Sequence, residues 1–232
     1  KAKGPAIVVS ESFTEDEEAQ FVLQQIDRLS REDGVKKGDC AVMYRVNAQS
    51  RAFEEACLRY GMEYRLVGGV RFYHRREVKD LIAYLRAIGN PEDQVSLLRI
   101  INKPARGIGN RTVEQVSFWA STQGISVNAA LERIAEERSA GGAASHPLSS
   151  RAAQAVSGFA ALLKSLREES RRLDVVELVD TVLDRISYRA FLQAGDDAED
   201  RWENVMELRS AAQEFKGLEP GEDLTALLER LA

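Results

Sequence analysis

The sequence is poor in the residues that build disulfide scaffolds and metal centres. In 232 residues it holds two cysteines, Cys40 and Cys57, and two histidines, His74 and His146. That is too few for a disulfide framework, a zinc ribbon or a multi-histidine metal site. Both cysteines lie near apolar residues and read as reduced core residues of a cytoplasmic protein. No apolar run approaches the roughly 18 residues a membrane span needs. No basic-then-apolar leader opens the chain, which gives secretion no support. The chain starts at Lys1 rather than Met, and the expectation is a piece of a longer parent. Also missing are G-x-x-x-x-G-K-[ST], H-E-x-x-H and G-x-S-x-G, and no nucleophile–base pair stands out. The chain is therefore not expected to build a phosphate loop for ATP or a hydrolytic centre of its own.

What is present is ordinary globular composition, with 30% charged and 44% hydrophobic residues, enough for one large or two small cores. The net charge of -5 argues, taken alone, against a nucleic-acid binder. Its distribution argues the other way. Residues 65–111 carry ten Lys/Arg and four Asp/Glu, a local balance of +6, against -11 for the remainder. A basic island in an acidic chain points to an anionic partner. Arginine outnumbers lysine 24 to 8, which suits forked contacts to phosphate, although genome composition gives the same bias.

Periodicity divides the chain at Asn90-Pro91. Before it, residues 6–9, 40–46 and 63–67 read as short strands. They alternate with helices over 15–31, opened by a Thr14–Glu17 capping box, over 49–60, and over an amphipathic stretch carrying Val78, Leu81, Ile82, Leu85 and Ile88. Residues 1–90 are thus expected to form an incomplete α/β unit whose other strands lie elsewhere. After Pro91 there is no strand pattern. Helical runs cover about 92–102, 111–122, 126–137, 150–170, 174–193, 199–216 and 222–231, with a loop over Ser139–Pro147. Residues 91–232 are expected to be all-α, which makes the whole chain α+β. No internal repeat is visible.

Three segments carry chemistry. In the first, Lys103-Pro104-Ala105-Arg106-Gly107-Ile108-Gly109-Asn110-Arg111-Thr112 joins two helical patterns. Its two glycines permit a tight turn and close approach of backbone to a ligand. Ile108 is placed to plug the helix pair, and Asn110 or Thr112 to cap the next helix, whose first N–H groups suit phosphate. Lys103, Arg106 and Arg111 add positive charge, the makings of a helix-hairpin-helix phosphate clamp. The bland alternative is a plain turn with solvated arginines. The second segment, Tyr44–Arg51, gathers Arg45, Asn47, Gln49, Ser50 and Arg51 where a strand is expected to end and a helix to begin, which suits a polyanion; taken by itself, ordinary helix capping by Asn47 with exposed arginines is the better reading. The third, Gly68–Asp80, interleaves Arg71 and Arg75 with Phe72 and Tyr73. That is a recipe for gripping single strands, unless the rings staple the loop to the core. The acidic run 196–200 reads as a solvated helix start.

YRVNAQSR at 44–51, GGVRFYHRREVKDLIAYLRAIGNPED at 68–93 and LLRIINKPARGIGNRT at 97–112, in this order, closely resemble the UvrD/PcrA/Rep family of superfamily 1 DNA helicases. EDRWENVMEL at 199–208 resembles that family's acidic-Arg-x-Glu-Asn-Leu helix. The resemblance implies a parent that moves 3′ to 5′ on single-stranded DNA and unwinds duplex, using ATP and Mg, in repair or replication. Residues 1–90 would be part of its RecA-like motor domain 2A, and residues 91–232 its helical insertion 2B, whose rotation would switch inhibited and unwinding states. In the family, the segment matching 44–51 lies near the single-strand track. By that resemblance Arg45, Asn47, Gln49, Ser50, Arg51, Arg71, Phe72 and Arg75 are candidate single-strand contacts. The match to Arg106–Gly109 lies where 2B meets duplex, making Lys103, Arg106, Gly107, Ile108, Gly109, Asn110, Arg111 and Thr112 candidate duplex contacts. Val46 stands where the family has Thr or Ser, so a hydroxyl contact is lost there. The partners expected are single-stranded and duplex DNA, with repair or replication proteins beside them and no membrane. This piece, lacking the ATP-binding motifs, is expected to be inactive alone. The rival reading is a helical protein–protein or self-association module without direct DNA binding.

Overall fold

Thr14 starts the first helix. Its Oγ1 accepts from the Glu17 N–H at 3.2 Å, and the Glu17 carboxylate turns back to accept from the Phe13 N–H at 3.0 Å. This helix, α1 (Glu15–Glu32), belongs to the first of two compact units into which the computed structural model divides, between His74 and Arg75. The residues described are 6–67, 69–141 and 145–231. In the first unit α1 packs on α2 (Ser50–Arg59) through Ala19, Leu23, Ala52, Ala56 and Cys57. Alanines at the contact let the two backbones approach closely. Ile26, Phe53, Met62 and Tyr64 close the edge of this small core.

The expected α+β class, with its incomplete RecA-like sheet, is overturned. Among the described residues there is no strand and no sheet, only helices and an isolated bridge between Lys216 and Leu218. Residues 6–9, 40–46 and 63–67 run without regular structure, and none pairs with another. The reason is physical. A helix closes its own hydrogen bonds, whereas a strand needs a neighbour for every N–H and C=O. Here several apolar residues of these segments stay outside: Ile7 is 93%, Val9 91%, Met43 93% and Val67 84% exposed.

The second unit holds α3 (Arg76–Gly89), α4 (Gln94–Ile100), α5 (Asn110–Gln123), α6 (Val127–Ala140), α7 (Ser150–Glu169), α8 (Val175–Arg185), α9 (Tyr188–Gln193), α10 (Ala198–Ala212) and α11 (Glu222–Arg230). Helix α3 is its spine. Val78, Leu81, Ile82, Ala83, Tyr84, Leu85, Ala87 and Ile88 are buried, and α4, α7, α10 and α11 pack around it. The sequence pattern groups this helix with the residues before Pro91. Its near-complete burial among helices that follow it places it in the second unit instead. The single helix expected over 174–193 breaks at Ser187, which takes a left-handed conformation at φ 51° between α8 and α9. Of the loop expected over 139–147, Ser139 and Ala140 finish α6, Gly141 caps it at φ 66°, and residues 142–144 lie outside the described residues.

A buried polar network ties α10 to the start of α3. The Asn204 amide donates to Glu77 at 2.7 Å, Arg201 reaches the same carboxylate at 3.4 Å, and Arg75 donates to the Asn204 carbonyl at 2.6 Å. The run 199–208 singled out in the sequence is thus a packing helix that buries Asn204 against α3 while Glu199 and Asp200 stay exposed. Among the described residues no helix is long and apolar enough to cross a membrane.

Candidate nucleic-acid interface

The turn between α4 and α5 is built around two side chains. The Asn102 Oδ1 accepts from the Arg106 N–H at 2.7 Å and from the Ile108 N–H at 3.2 Å, which folds residues 102–108 into a closed loop. Ile108 then inserts into the helix pair and is only 1% exposed, as its place between two glycines predicts. Gly107 sits at φ +79° with nothing near the position a Cβ would take, so its freedom is used for backbone shape rather than for space. Helix α5 starts at Gly109 with no side-chain cap. Asn110 and Thr112, expected to cap it, do not. The Gly109 carbonyl takes the Thr112 and Val113 N–H groups at 2.9 and 3.1 Å. Gly109, Asn110 and Arg111 are exposed, so the positive end of a 14-residue helix faces out beside Arg111.

The other cations of this turn are placed differently from one another. Lys103 is half-exposed, with its Nζ 3.6 Å from the buried Asp80 carboxylate, which also holds Arg99 at 2.6 Å. Arg106 turns inward. Its Nη1 donates to the Ile100 and Pro104 carbonyls at 3.2 and 3.0 Å, and its Nη2 donates to the Tyr84 hydroxyl at 2.6 Å. The guanidinium lies 5.4 Å from the centre of the Phe159 ring and 5.9 Å from that of Tyr84. The Tyr84 hydroxyl donates in turn to the Lys103 carbonyl. Burial raises the Tyr84 pKa to about 12 against the opposing pull of Arg106, so this hydroxyl keeps its proton at neutral pH.

In the first unit the candidate contacts divide, with Ser50, Arg51 and Phe72 buried and Arg45, Asn47, Gln49 and Arg71 exposed. Arg51 is 1% exposed and pairs with Glu15 at 2.7 Å and Glu55 at 3.0 Å. Ser50 is fully buried and donates to Glu54 at 2.8 Å. Gln49 uses its amide oxygen to accept from the N–H groups of Arg45 and Val46 at 3.0 and 3.2 Å, reaching back over the short turn that opens α2. Phe72 is fully buried, with its N–H on the Glu54 carboxylate and its ring edge-on to Tyr73 at 5.0 Å; it stacks inside the protein and offers no face to a base. Arg45, Asn47 and Arg71 are exposed, Arg71 lying 5.7 Å from the Tyr64 ring centre. Arg75, in the second unit, is half-buried on Asn204.

The organising residues Asn102, Tyr84, Phe159 and Glu54 were not visible in the sequence pattern. Asn102 alone had a local signal, an Asn just before a Lys-Pro turn. The partners of Glu54 and Tyr84 lie up to 22 residues away along the chain.

The second unit presents a glycine hairpin beside an exposed helix start with Lys103 and Arg111 at its rim, and the first unit carries the exposed arginines Arg45 and Arg71. Comparison with known proteins gives the family. The sequence model of the UvrD-like helicase C-terminal domain matches residues 1–232, and the chain belongs to that family. The ATP-dependent DNA helicase UvrD1 of Mycobacterium tuberculosis (strain ATCC 25618 / H37Rv) is 41% identical over 216 residues, covering 91% of this chain and 27% of that protein. The ATP-dependent DNA helicase PcrA of Bacillus subtilis (strain 168) is 36% identical over 217 residues, covering 93% and 28%. The ATP-dependent DNA helicase PcrA of Staphylococcus aureus (strain NCTC 8325 / PS 47) is 39% identical over 222 residues, covering 95% and 29%. The chain therefore spans just over a quarter of the length of these relatives.

Proposed function

We propose that this chain is the DNA-engaging and regulatory portion of an ATP-dependent 3′–5′ DNA helicase, and that the hairpin between α4 and α5 grips the duplex backbone. The observation that carries the reading is the hairpin itself. Gly107 is exposed at positive φ, the start of α5 is uncapped by any side chain, and Arg111 and Lys103 stand at its rim. Backbone N–H groups at a helix start together with two cations suit a phosphate, and they carry no base preference. Arg45 and Arg71, exposed on the first unit, are the groups proposed for single-stranded backbone. ATP and Mg would bind in the parent outside this chain, which has no phosphate-loop motif.

A second reading rests on a different observation. Phe118 on α5 is 72% and Val95 on α4 83% exposed, which suits an apolar protein contact. Salt separates the two. The test is binding of a duplex with a 3′ single-stranded tail at low and moderate salt, with Arg111→Glu in parallel. Salt-sensitive binding that the charge reversal abolishes supports the duplex grip. Absent or salt-insensitive binding overturns it and favours the protein contact.

A further inference from the structure

Arg106 is the cation nearest the two glycines of the hairpin, and by position alone it is the obvious phosphate ligand. Its hydrogen bonds say otherwise. Three of its five N–H donors are taken by the chain: two by the carbonyls of Ile100 and Pro104, one by the Tyr84 hydroxyl. The plane of the group is set near two rings, those of Phe159 from α7 and Tyr84 from α3. Ile100 is the last residue of α4, so Arg106 also places positive charge where that helix leaves its final carbonyls open. Only a forked, planar cation can reach both carbonyls and the hydroxyl together.

We propose that Arg106 and Tyr84 are positioning residues that hold the hairpin in its binding shape from inside, while contact with DNA phosphate is left to Arg111, Lys103 and the first N–H groups of α5. The route of action is short. Tyr84 fixes Lys103 through its carbonyl, Arg106 fixes the carbonyl side of the turn at Pro104, and Asn102 fixes the Arg106 and Ile108 amides. Loss of the Tyr84 hydroxyl loosens all of these without removing any charge. The proposal deepens the duplex-grip reading and rests on it for its DNA part. Its claim about hairpin shape stands apart from DNA.

The test uses Tyr84→Phe, Arg106→Lys and Arg111→Ala in the 232-residue chain, with two readouts. Tyr84→Phe keeps the buried ring, so folding is expected to survive. The first readout is hydrogen exchange of the Arg106 and Ile108 amides without DNA. Both are expected to exchange faster in Tyr84→Phe and in Arg106→Lys, with α5 beyond Val113 unchanged. Exchange that does not change in Tyr84→Phe overturns the proposal whatever DNA does. The second readout is affinity for blunt duplex as a function of salt. Tyr84→Phe removes both hydrogen bonds of the hydroxyl and is expected to weaken binding about fivefold or more with an unchanged salt slope. Arg106→Lys keeps the charge and is still expected to bind weakly, whereas Arg111→Ala lowers the slope by about 0.9. Wild-type-like binding by Arg106→Lys, or normal binding by Tyr84→Phe, makes Arg106 a phosphate contact and overturns the proposal. If the wild-type chain shows no salt-dependent duplex binding, the duplex grip fails, and the exchange readout alone decides the hairpin-shape claim.

Discussion

The two units of this chain differ in how fully they bury their apolar residues. The first packs a small core of Ala19, Leu23, Ala52, Ala56 and Cys57 and leaves Val9 91% exposed. The second buries the apolar faces of its helices around α3 and leaves Arg111 at its surface. The difference follows from backbone chemistry. Helices satisfy their own N–H and C=O groups, so the second unit's helices form from local sequence and then close a core as α3 packs on α7, α10 and α11. Among the described residues the apolar segments of the first unit pair with no neighbouring strand, and its apolar core lies where α1 meets α2.

Four substitutions test this contrast. The two tryptophans, Trp119 and Trp202, both lie in the second unit, so their fluorescence reports that unit alone. Phe159 is 1% exposed in the second unit's core, and Phe159→Ala should lower the stability reported by tryptophan by about 3–5 kcal/mol. Arg51→Met should destabilise the first unit by about 3 kcal/mol, since it removes the buried guanidinium that pairs with Glu55 and Glu15, although Glu55 keeps the Tyr73 hydroxyl and the half-exposed Glu15 recovers water. Circular dichroism should register that loss while tryptophan fluorescence does not. A shared loss in both signals would break the contrast. Asp174 caps α8 by accepting from the Val176 and Glu177 N–H groups at 3.0 and 2.9 Å, so Asp174→Ala should cost the second unit about 1 kcal/mol.

The smallest effect is a pH dependence. Burial pushes the Asp93 carboxyl up, but the Ser96 hydroxyl and N–H outweigh it and hold the group below the usual carboxylate range. A carboxyl lowered in the folded state stabilises above its unfolded pKa of about 4 and loses that contribution as pH falls through the folded value. Denaturation of the second unit between pH 5 and pH 3 should therefore show a steeper loss in wild type than in Asp93→Asn. Equal slopes would remove Asp93 from the account.

Much of the second unit was legible in the sequence, because helix faces repeat locally. The periods over 150–170 and 222–231 mark α7 and α11 to within a residue, and the glycines around Ile108 announced its burial. The break at Ser187 was not legible, since a serine has no preference of its own for φ 51° and the residues buried there are its neighbours Ile186 and Tyr188. Nor was the absence of strands. CAVMYRV at 40–46 has the composition of a buried strand, but composition does not supply the partner that a strand requires. The candidate contacts divided along the same line. Arg51, Ser50 and Phe72 look like ligand-facing groups in a motif, and what turns them inward is Glu54, Glu55 and Glu15, the last lying 36 residues away. Arg106 is the parallel case in the second unit, drawn in by a tyrosine 22 residues earlier.

The central claim is that the second unit grips duplex through the rim of its hairpin. The direct test is the slope of log affinity for blunt duplex against log salt, in the wild-type chain and in the Lys103→Ala/Arg111→Ala double variant. Removal of two phosphate contacts predicts a slope smaller by about 1.8 together with weaker binding. A double variant with the wild-type slope would show that neither cation meets phosphate and would contradict the account.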